Sequence, residues 1–480
     1  MQNHNSQQLR IGIIGGGIGG ATIALRLIEQ SAQVVLFEKE PHLVNGPPMC
    51  HLHAGGNLYR EISDEQCIDL LKQSIDTAKF YREAIDCRPT IVAVPTLDDG
   101  HPEDVISRLN ILQQEYAKLI DVDPTNEVLG PASQYYTLFN RSDLEQIANL
   151  PIPNEPANPE QWMINFAQHV DLDQLKYPII LVQEYGISAF RLAAITNLAL
   201  ERSEHCQLLT NTRVKSVSQD NANGTWQIET ESADSNQAVE VDYLINACGF
   251  RTGTIDDMIG LLPKRMVEFK AAYVSQWTHC QNTWPEIIFY GTRGTKNGMT
   301  QLTPYPNGYF QIHAMTPDVT LFEDGLVASK EESAQPQLPQ KFITKVDRHW
   351  DPAIVNSRTE KAIDKVAKFI PHFESAIVGG PPMYGAQQIP GVDSTLRVAD
   401  VAFQHDRYAR CEIVKASSAL PAANTIINKL VESGLLNAVT AESHPATSKL
   451  SEIDIKDHAE LLATKRKYPK DLAGRVRADG

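Results

Sequence analysis

The chain has 480 residues, which is long for a single hydrophobic core and predicts at least two domains. Its formal net charge of −16 argues against nucleic acid or an anionic membrane as the main partner. The seven cysteines are scattered and show no C-x-x-C pair, so we expect reduced thiols, no metal site and a cytoplasmic protein. No stretch has the pattern of a secretory signal or a transmembrane segment, and peripheral membrane contact stays open.

A glycine-rich turn follows the first predicted strand. Residues 11–14 form the apolar, β-branched run that a buried parallel strand requires. Gly15, Gly17 and Gly20 then complete the pattern G-x-G-x-x-G, and a helix is predicted over 18–30. The first glycine makes the turn, the second lets the backbone approach a pyrophosphate, and the third lets helix and strand pack closely.

An acidic residue stands at the expected place after this turn. The second predicted strand, 34–37, ends in Glu38, about twenty residues after the glycines, where a carboxylate accepts hydrogen bonds from an adenosine ribose. A carboxylate also disfavours a 2′-phosphate, which argues against NADP. The sequence therefore predicts a dinucleotide site whose contacts include Gly15, Gly17, Ile18, Gly19, Gly20, Glu38 and Lys39.

The rest of the chain alternates between predicted helices and strands, as expected for an α/β protein. Helices are predicted after a capping box at Ser63 and Gln66, over 103–120, after Ser188, and over 359–370 and 421–434. Strands are predicted over 88–96, 207–210, 213–218, 225–230, 239–245, 266–277, 287–315, 396–403 and 409–414. The polar segment 323–340 is expected to be disordered, and the tail 438–480 to be a solvated surface helix or disordered instead of a binding element.

The order of these segments resembles one family. The G-x-G-x-x-G fingerprint with Glu38 comes first, and Tyr185-Gly186 precedes a helix. The segment 242–249, which ends Asn-Ala-Cys-Gly, is followed by Ile-Asp-Asp-Met-Ile-Gly-Leu over 255–261. Over residues 9–437 the chain resembles the FAD-dependent oxidoreductases of the D-amino-acid oxidase superfamily. The Ala-Ser-rich turn 416–422, where many members carry glycine, and the histidine-rich loop before Asn57 are also similar to malate:quinone oxidoreductases.

The resemblance implies an α/β fold with a discontinuous Rossmann-like FAD-binding domain and a second α+β substrate domain containing an antiparallel sheet. The FAD domain would use 9–61, 178–262 and 376–437, the substrate domain 62–177 and 263–375, and 438–480 would be a tail. The implied activity is hydride transfer from a small carboxylate-bearing substrate to FAD, with oxygen or a quinone as the electron acceptor. Further implied cofactor contacts are Val214, Ala247, Gly249, Ser417, Ser418 and Ala419.

Five residues are candidates for catalysis or substrate binding. His51 and His53 lie in a loop that reaches the flavin in the resembled family, where they would act as a base, attach covalently to the flavin, or merely bond to backbone. Arg293 could grip a carboxylate or belong to a solvated hairpin loop. Tyr309 and His313 share one face of a predicted strand, and they line the pocket only if that face points toward the flavin.

Two other functions stay open at this point. NAD(P)H-driven flavin monooxygenases begin with the same fingerprint, but they carry a late Gly-Asp motif where this chain has Ala399-Asp400. A non-catalytic FAD-binding assembly or maturation protein is the third hypothesis, because a fold alone does not fix a function. Arg251 follows the Gly249 turn and is placed to pair either with a phosphate or with an acid of the fold.

Overall fold

The computed structural model describes residues 9–46, 52, 62–220, 222–233, 235–279, 283–347, 349–394, 399–437 and 446–477. The helices are α1 Ile18–Ile28, α2 Asp64–Phe80, α3 Pro102–Val122, α4 Arg141–Ile147, α5 Pro159–His169, α6 Ala189–Glu201, α7 Thr252–Met258, α8 Gln340–Val346, α9 Pro352–Ala367, α10 Ala419–Glu432 and α11 Glu452–Lys465. None of these described helices is long and apolar enough to cross a membrane.

The strands alternate with these helices along the chain. They are β1 Arg10–Ile14, β2 Gln33–Phe37, β3 Ile85–Asp86, β4 Thr90–Pro95, β5 Tyr136–Phe139, β6 Leu175–Val182, β7 Gly186–Ile187, β8 Cys206–Leu209, β9 Arg213–Gln219, β10 Trp226–Glu231, β11 Asn236–Val241, β12 Tyr243–Asn246, β13 Arg265–Gln276, β14 Glu286–Phe289, β15 Thr300–Pro304, β16 Tyr309–Ala314, β17 Leu326–Ala328, β18 Ile377–Val378, β19 Met383–Pro390, β20 Asp400–His405 and β21 Tyr408–Glu412.

The first sheet has the spatial order β20-β21-β12-β1-β2-β8. Its pairings are parallel except for the β20–β21 hairpin. Helices α1, α6 and α10 cover one face, while the antiparallel strands β9 to β11 pack their apolar side chains on the other. With both faces covered, β1 is apolar after Arg10, and Ile11 and Ile13 are fully buried. This arrangement is the predicted Rossmann-like unit.

The second sheet has the order β17-β13-β16-β15-β14-β4-β6-β5, and β18 and β19 also pair with β13. Its pairings are antiparallel except for β14 beside β4. Val267 and Phe269 of β13 pack into an apolar cluster behind this sheet, whereas Glu268 and Lys270 alternate with them and point to the opposite side. The fold class predicted from the sequence, a Rossmann-like unit joined to an α+β unit with an antiparallel sheet, is confirmed.

Two predicted elements have different bounds in the structure. The single strand predicted over 239–245 is two strands in two sheets, because the chain turns at Asp242, whose carboxylate accepts a 2.8 Å hydrogen bond from the Arg10 backbone N–H. The helix predicted over 359–370 is α9, which begins earlier because Asp351 caps it and Pro352 occupies its first position. The cap predicted at Ser63 is confirmed, since its side chain accepts a hydrogen bond from the Gln66 N–H.

The prediction of disorder over 323–340 is wrong. This segment contains β17 and then packs against α7, where Ala334 is buried. The Asp257 carboxylate accepts 2.6 Å hydrogen bonds from the Ser333 hydroxyl and the Ala334 N–H. Polar composition suggested a solvated segment, but these polar groups bond to a neighbouring helix instead of to water.

The tail, expected to be a solvated surface helix or disordered, contains helix α11 within residues 446–477, and only one face of that helix is solvated. Helix α11 buries one face against α6, and the buried residues follow helical spacing. They are Ile455, Ala459, Leu462 and Ala463, each no more than 1% exposed. The opposite face of this helix carries many charges, so the average composition of the segment does not reveal its apolar stripe.

A balanced set of buried charges joins the two sheets. Arg265 at the start of β13 pairs with Asp256 of α7, and its Nε lies 3.1 Å from Glu412 Oε1 on β21. Arg410 Nε lies 2.9 Å from Glu412 Oε2, and its Nη1 lies 3.4 Å from Asp256 Oδ2. The Tyr408 hydroxyl donates a 2.6 Å hydrogen bond to Asp256 Oδ1. We call Asp256, Arg265, Arg410 and Glu412 the buried network.

Candidate active site

The glycine-rich turn has the geometry that a dinucleotide site requires. Gly15 has φ of 102°, and a Cβ there would collide with the Ala247 carbonyl, while a Cβ on Gly20 would collide with the Gly15 carbonyl. A Cβ on Gly17 would meet only open space. Gly17 is the N-cap of α1 and gives no side-chain cap, and the first turn of the helix contains no acid. The uncapped N–H groups of α1 therefore suit an anion.

Glu38 is buried at the end of β2, next to this turn. Its Oε2 accepts a 2.7 Å hydrogen bond from the Gly16 N–H, and its Oε1 accepts a 2.8 Å bond from the Glu40 N–H. Burial raises the pKa of this carboxyl, against the two backbone hydrogen bonds, which lower it. Each oxygen keeps a second lone pair, so the carboxylate has capacity for the hydroxyls of a ribose.

A continuous cleft of about 1120 Å³ runs from this turn to the polar side of the second sheet. Its walls near the turn include Gly15, Gly17, Ile18, Gly19, Glu38, Lys39, Ala247 and Gly249. Its far wall includes Lys270, Arg293, Gln301, His313 and Gln387. The structure thus brings most of the predicted cofactor residues together with two of the predicted catalytic candidates in one cavity.

A cluster of charges lies on the far wall, and we call Glu268, Lys270 and Arg293 the wall cluster. Lys270 Nζ lies 2.9 Å from Glu268 Oε2 and donates a 2.7 Å hydrogen bond to Gln387 Oε1. Arg293 pairs with the other oxygen of Glu268. Two cations therefore share one carboxylate, which leaves one positive charge in excess within these three groups. Such an excess beside a cavity suits an anionic ligand group.

His313 stands beside this cluster because of strand periodicity. In β16 it shares a face with Tyr309 and Gln311, as predicted, and its cross-strand partner is Gln301 of β15. Gln301 donates a hydrogen bond to Glu286, which in turn pairs with the buried Arg88. His313 lines the cleft, whereas Tyr309 lies farther along the strand and packs against the apolar core.

Other predicted residues lie outside the described cleft wall. The side chains of Ser417 and Ser418 are buried, and Ser418 donates a 2.9 Å hydrogen bond to Gln73, while Lys415 and Ala416 line the cleft instead. Ala419, Val214 and Gly20 are not among the residues that line the cleft. His51 and His53 are outside the described residues.

Among the described residues, no acid of the fold forms an ion pair with Arg251, and its buried Nε has no hydrogen-bond partner there. Its guanidinium carbon lies 4.9 Å from the ring centroid of Phe250. Burial lowers the pKa of this guanidinium, so the side chain is a partly desolvated cation packed on an aromatic ring. Its role in holding a phosphate stays a prediction.

Sequence reasoning missed several parts of the cleft, two of which matter for the proposals below. Lys270 is polar within a strand whose alternate positions are apolar, and this period of two, in a segment already predicted as a strand, was the signal for it. The other part is 465–468, at the end of α11, which lines the cleft even though it lies far along the chain from the other walls. No local pattern in the sequence indicates which distant cavity a helix end will reach.

Comparisons with known proteins identify the fold. Residues 13–45 match the model of an NAD(P)-binding Rossmann-like domain. Glycine oxidase from Geobacillus kaustophilus is similar over 92% of this chain and 100% of its own, with 14% identity and a TM-score of 0.55. L-amino acid deaminase from Proteus vulgaris is similar over 95% of this chain and 98% of its own, with 12% identity and a TM-score of 0.57.

A third solved structure extends the likeness to another substrate class. L-alpha-glycerophosphate oxidase from Mycoplasma pneumoniae, with FAD bound, is similar over 92% of this chain and 98% of its own, with 15% identity and a TM-score of 0.54. A search of curated protein sequences gives no significant match. The chain shares the fold of these three solved structures, and this agrees at the level of the fold with the resemblance drawn from the sequence.

Proposed function

We propose that this chain is an FAD-dependent oxidoreductase that oxidises a small carboxylate-bearing substrate, either an amine or amino acid or a 2-hydroxy acid. The observation that carries the proposal is the single cleft that joins an uncapped dinucleotide turn to the cationic wall cluster. A shared fold alone does not establish an activity, so the argument rests on this site.

The residues of the turn fit FAD. Gly15 to Gly19 and the N-terminus of α1 would hold the pyrophosphate, and Glu38 would accept hydrogen bonds from the adenosine ribose. The cleft continues well beyond that point, which leaves room for a ring system and a substrate. FAD, when bound, supplies a hydride acceptor, and three solved enzymes with this fold act on glycine, L-amino acids and glycerophosphate according to their names.

The wall cluster would bind and orient the substrate. Lys270 and Arg293 carry one positive charge beyond what Glu268 neutralises, so together they would hold a carboxylate through charge-assisted hydrogen bonds. His313 is the described cleft residue whose side chain is best suited to take a proton from a substrate nitrogen or hydroxyl near neutral pH. Fixed binding groups orient the substrate and so hold its reacting atoms in the geometry that the reaction needs.

Anaerobic mixing tests this proposal. Purified protein carrying flavin is mixed with panels of amino acids, N-methyl amino acids and 2-hydroxy acids, and the visible flavin absorption is followed. Bleaching by one class supports the proposal and identifies the bond attacked, and reoxidation by oxygen or by a quinone then identifies the acceptor. A flavin that only NADPH bleaches would instead indicate a monooxygenase. A flavin that no donor reduces would indicate a non-catalytic protein, and a purified protein that does not bind FAD would refute the proposal.

A matched control tests whether the wall cluster binds the carboxylate of the substrate. Each substrate that reduces the flavin is compared with the analogue that lacks the carboxylate, at equal concentration. If the wall cluster binds that group, the analogue should reduce the flavin at least tenfold more slowly at low concentration, which corresponds to about 1.4 kcal/mol of lost interaction. Equal rates for the pair would show that the cluster has another role.

A further inference from the structure

The end of α11 forms one wall of the cleft. Residues 465–468 line it, together with Val44, Asn45 and Gly46 of the loop that follows β2. Helix α11 itself is anchored by its buried face against α6. The Tyr468 hydroxyl donates a 2.8 Å hydrogen bond to the Pro382 carbonyl, ahead of β19. This segment is therefore tied to the loop after β2 on one side and to the second sheet on the other.

Arg466 makes the tie to the loop after β2. Its Nη1 donates a 2.9 Å hydrogen bond to the Val44 carbonyl, and its Nη2 donates one of 2.9 Å to the Leu43 carbonyl. The guanidinium carbon also lies 5.7 Å from the ring centroid of Phe190. A planar guanidinium can reach two neighbouring carbonyls at once, which a lysine ammonium on its flexible stem does less well.

The bend that Arg466 holds lies directly on the glycine-rich turn. The Val44 N–H donates a 2.8 Å hydrogen bond to the Gly16 carbonyl, and the Leu43 N–H donates one of 3.1 Å to Asn197 Oδ1. The Leu43 side chain packs so closely on Gly16 that a Cβ there would collide with it. The position of this bend therefore fixes one side of the turn.

The bend has an unfavourable backbone conformation. Val44 has φ of 51°, in the left-handed region that a β-branched residue rarely adopts. Such a conformation persists only where the surroundings hold it. Here the backbone of residues 43 and 44 is held by Gly16 and Asn197 through its N–H groups and by Arg466 through both carbonyls.

We infer that Arg466 is a positioning residue of the dinucleotide site, which clamps the strained bend at Leu43 and Val44 so that this wall of the cleft is formed before FAD binds. The inference rests on the proposed function in one respect, that FAD is the ligand of the cleft. The C-terminal segment is then part of the cofactor site, although it lies more than 400 residues after the turn that it supports. Formation of the wall in advance strengthens binding because less ordering remains to be done when the ligand arrives.

The test compares three variants with the wild type as apo proteins. Arg466→Ala removes both hydrogen bonds to the bend, whereas Arg466→Lys keeps the positive charge without the two-pronged guanidinium. Lys456→Ala, which removes an exposed charge from α11, is the control. FAD affinity is measured by the quenching of flavin fluorescence. We expect at least tenfold weaker binding for Arg466→Ala, at least fivefold for Arg466→Lys, and less than a twofold change for Lys456→Ala.

A second readout does not depend on FAD. Hydrogen–deuterium exchange of the apo proteins should show at least tenfold faster exchange at residues 43 and 44 in Arg466→Ala, with the amides of α1 unchanged. Faster exchange across the whole chain would indicate general destabilisation and would overturn the inference. If Arg466→Ala fails to fold, Arg466→Lys carries both measurements.

The outcomes separate the clamp from simple attraction of an anionic cofactor. Full affinity in Arg466→Lys, or a loss in Arg466→Ala that disappears at high salt, would mean that only the charge matters and would overturn the clamp. Unchanged FAD affinity in Arg466→Ala alongside a wild type that binds FAD would refute the inference alone. A wild type that does not bind FAD would refute the proposed function, while the exchange measurement would still decide whether Arg466 holds the bend.

Discussion

The buried network and the wall cluster are both built from basic side chains that share carboxylates, but they differ in balance and in exposure. In the buried network, two arginines face two acids, and no side chain is more than 4% exposed. In the wall cluster, two cations share one acid, and the Arg293 side chain is 35% exposed. The first set lies inside the fold, with the partly exposed Asp400 at its edge, 3.8 Å from Arg410 Nη2, and the second set borders a cavity.

This difference distinguishes charges that stabilise the fold from charges that are available to bind a ligand. Charges removed from water are tolerated when they are paired and hydrogen-bonded. The arginines and acids of the buried network pair with one another, and Tyr408, Thr252 and Gln404 add hydrogen bonds. Burial raises the pKa of Glu412, against Arg265 and Arg410, which lower it. Cations at the edge of a cavity can instead bind an incoming anion, as we propose for the wall cluster.

Breaking the buried network should give the largest effect on stability. Asp256→Ala leaves Arg265 and Arg410 to share Glu412 as their one buried carboxylate, and it removes the acceptor of Tyr408. We expect the free energy of unfolding to fall by about 3–5 kcal/mol, measured by urea denaturation at neutral pH. Lys215→Ala is the control, because Lys215 and Glu231 form an exposed pair, and its removal should cost less than about 1 kcal/mol. A loss for Asp256→Ala as small as that of the control would contradict the comparison.

Substitution in the wall cluster should affect activity more than stability. Lys270→Met keeps the length of the side chain and leaves Glu268 paired with Arg293. We expect kcat/KM for a carboxylate substrate to fall about 100-fold, or about 2.7 kcal/mol, because the less exposed of the two cations is lost. Lys215→Met, at an exposed lysine away from the cleft, is the control for activity. A similar fractional loss with the substrate analogue that lacks a carboxylate would argue against this role.

The sequence was sufficient for features that depend on local pattern. The turn at Gly15 and Gly20, the acid at Glu38 and the alternation along β16 all follow from fixed spacings, and the structure places them as those spacings predict. The length of the chain predicted more than one domain, and the two-unit fold was implied by the resemblance in the order of its segments.

The sequence was not sufficient where a residue's surroundings come from distant parts of the chain. Lys270 and Arg293 lie close together because the fold brings Arg293, in the loop before β15, to Glu268 of β13. Neither segment indicates this contact in its own sequence. Arg466 reaches the bend at Val44 across 422 positions. The buried network forms only when α7, β13 and β21 come together. Such contacts are properties of the assembled fold.

The acid at the end of β2 gives a test that depends on pH. Burial holds the pKa of Glu38 in the free protein above its ordinary value, while the nearby Glu40 raises it and Lys39 lowers it. The ionised form is the better acceptor for ribose hydroxyls, so FAD affinity should be complete above this raised pKa and should fall as the pH is lowered through it. Glu38→Gln should bind FAD about tenfold more weakly, or about 1.4 kcal/mol, and without this dependence.

The control for this prediction is the ligand itself. FMN lacks the adenosine, so its weaker binding should not follow the titration of Glu38. Both affinities are measured by flavin fluorescence over the same range of pH, with circular dichroism at each pH to confirm that the fold is intact. An identical pH profile in the wild type and in Glu38→Gln would show that another group controls the binding.

The smallest expected effect concerns the more exposed cation of the wall cluster. Arg293→Gln removes a side chain that water already screens, so kcat/KM for a carboxylate substrate should fall only about fivefold, or about 1 kcal/mol. The free energy of unfolding should change by less than about 1 kcal/mol, because Glu268 stays paired with Lys270. Since the contribution of an exposed charge is screened, the difference between wild type and variant should shrink as salt is added. A larger loss for Arg293→Gln than for Lys270→Met, persisting at high salt, would place the substrate carboxylate on Arg293 and leave Lys270 to hold Glu268 and Gln387 in position.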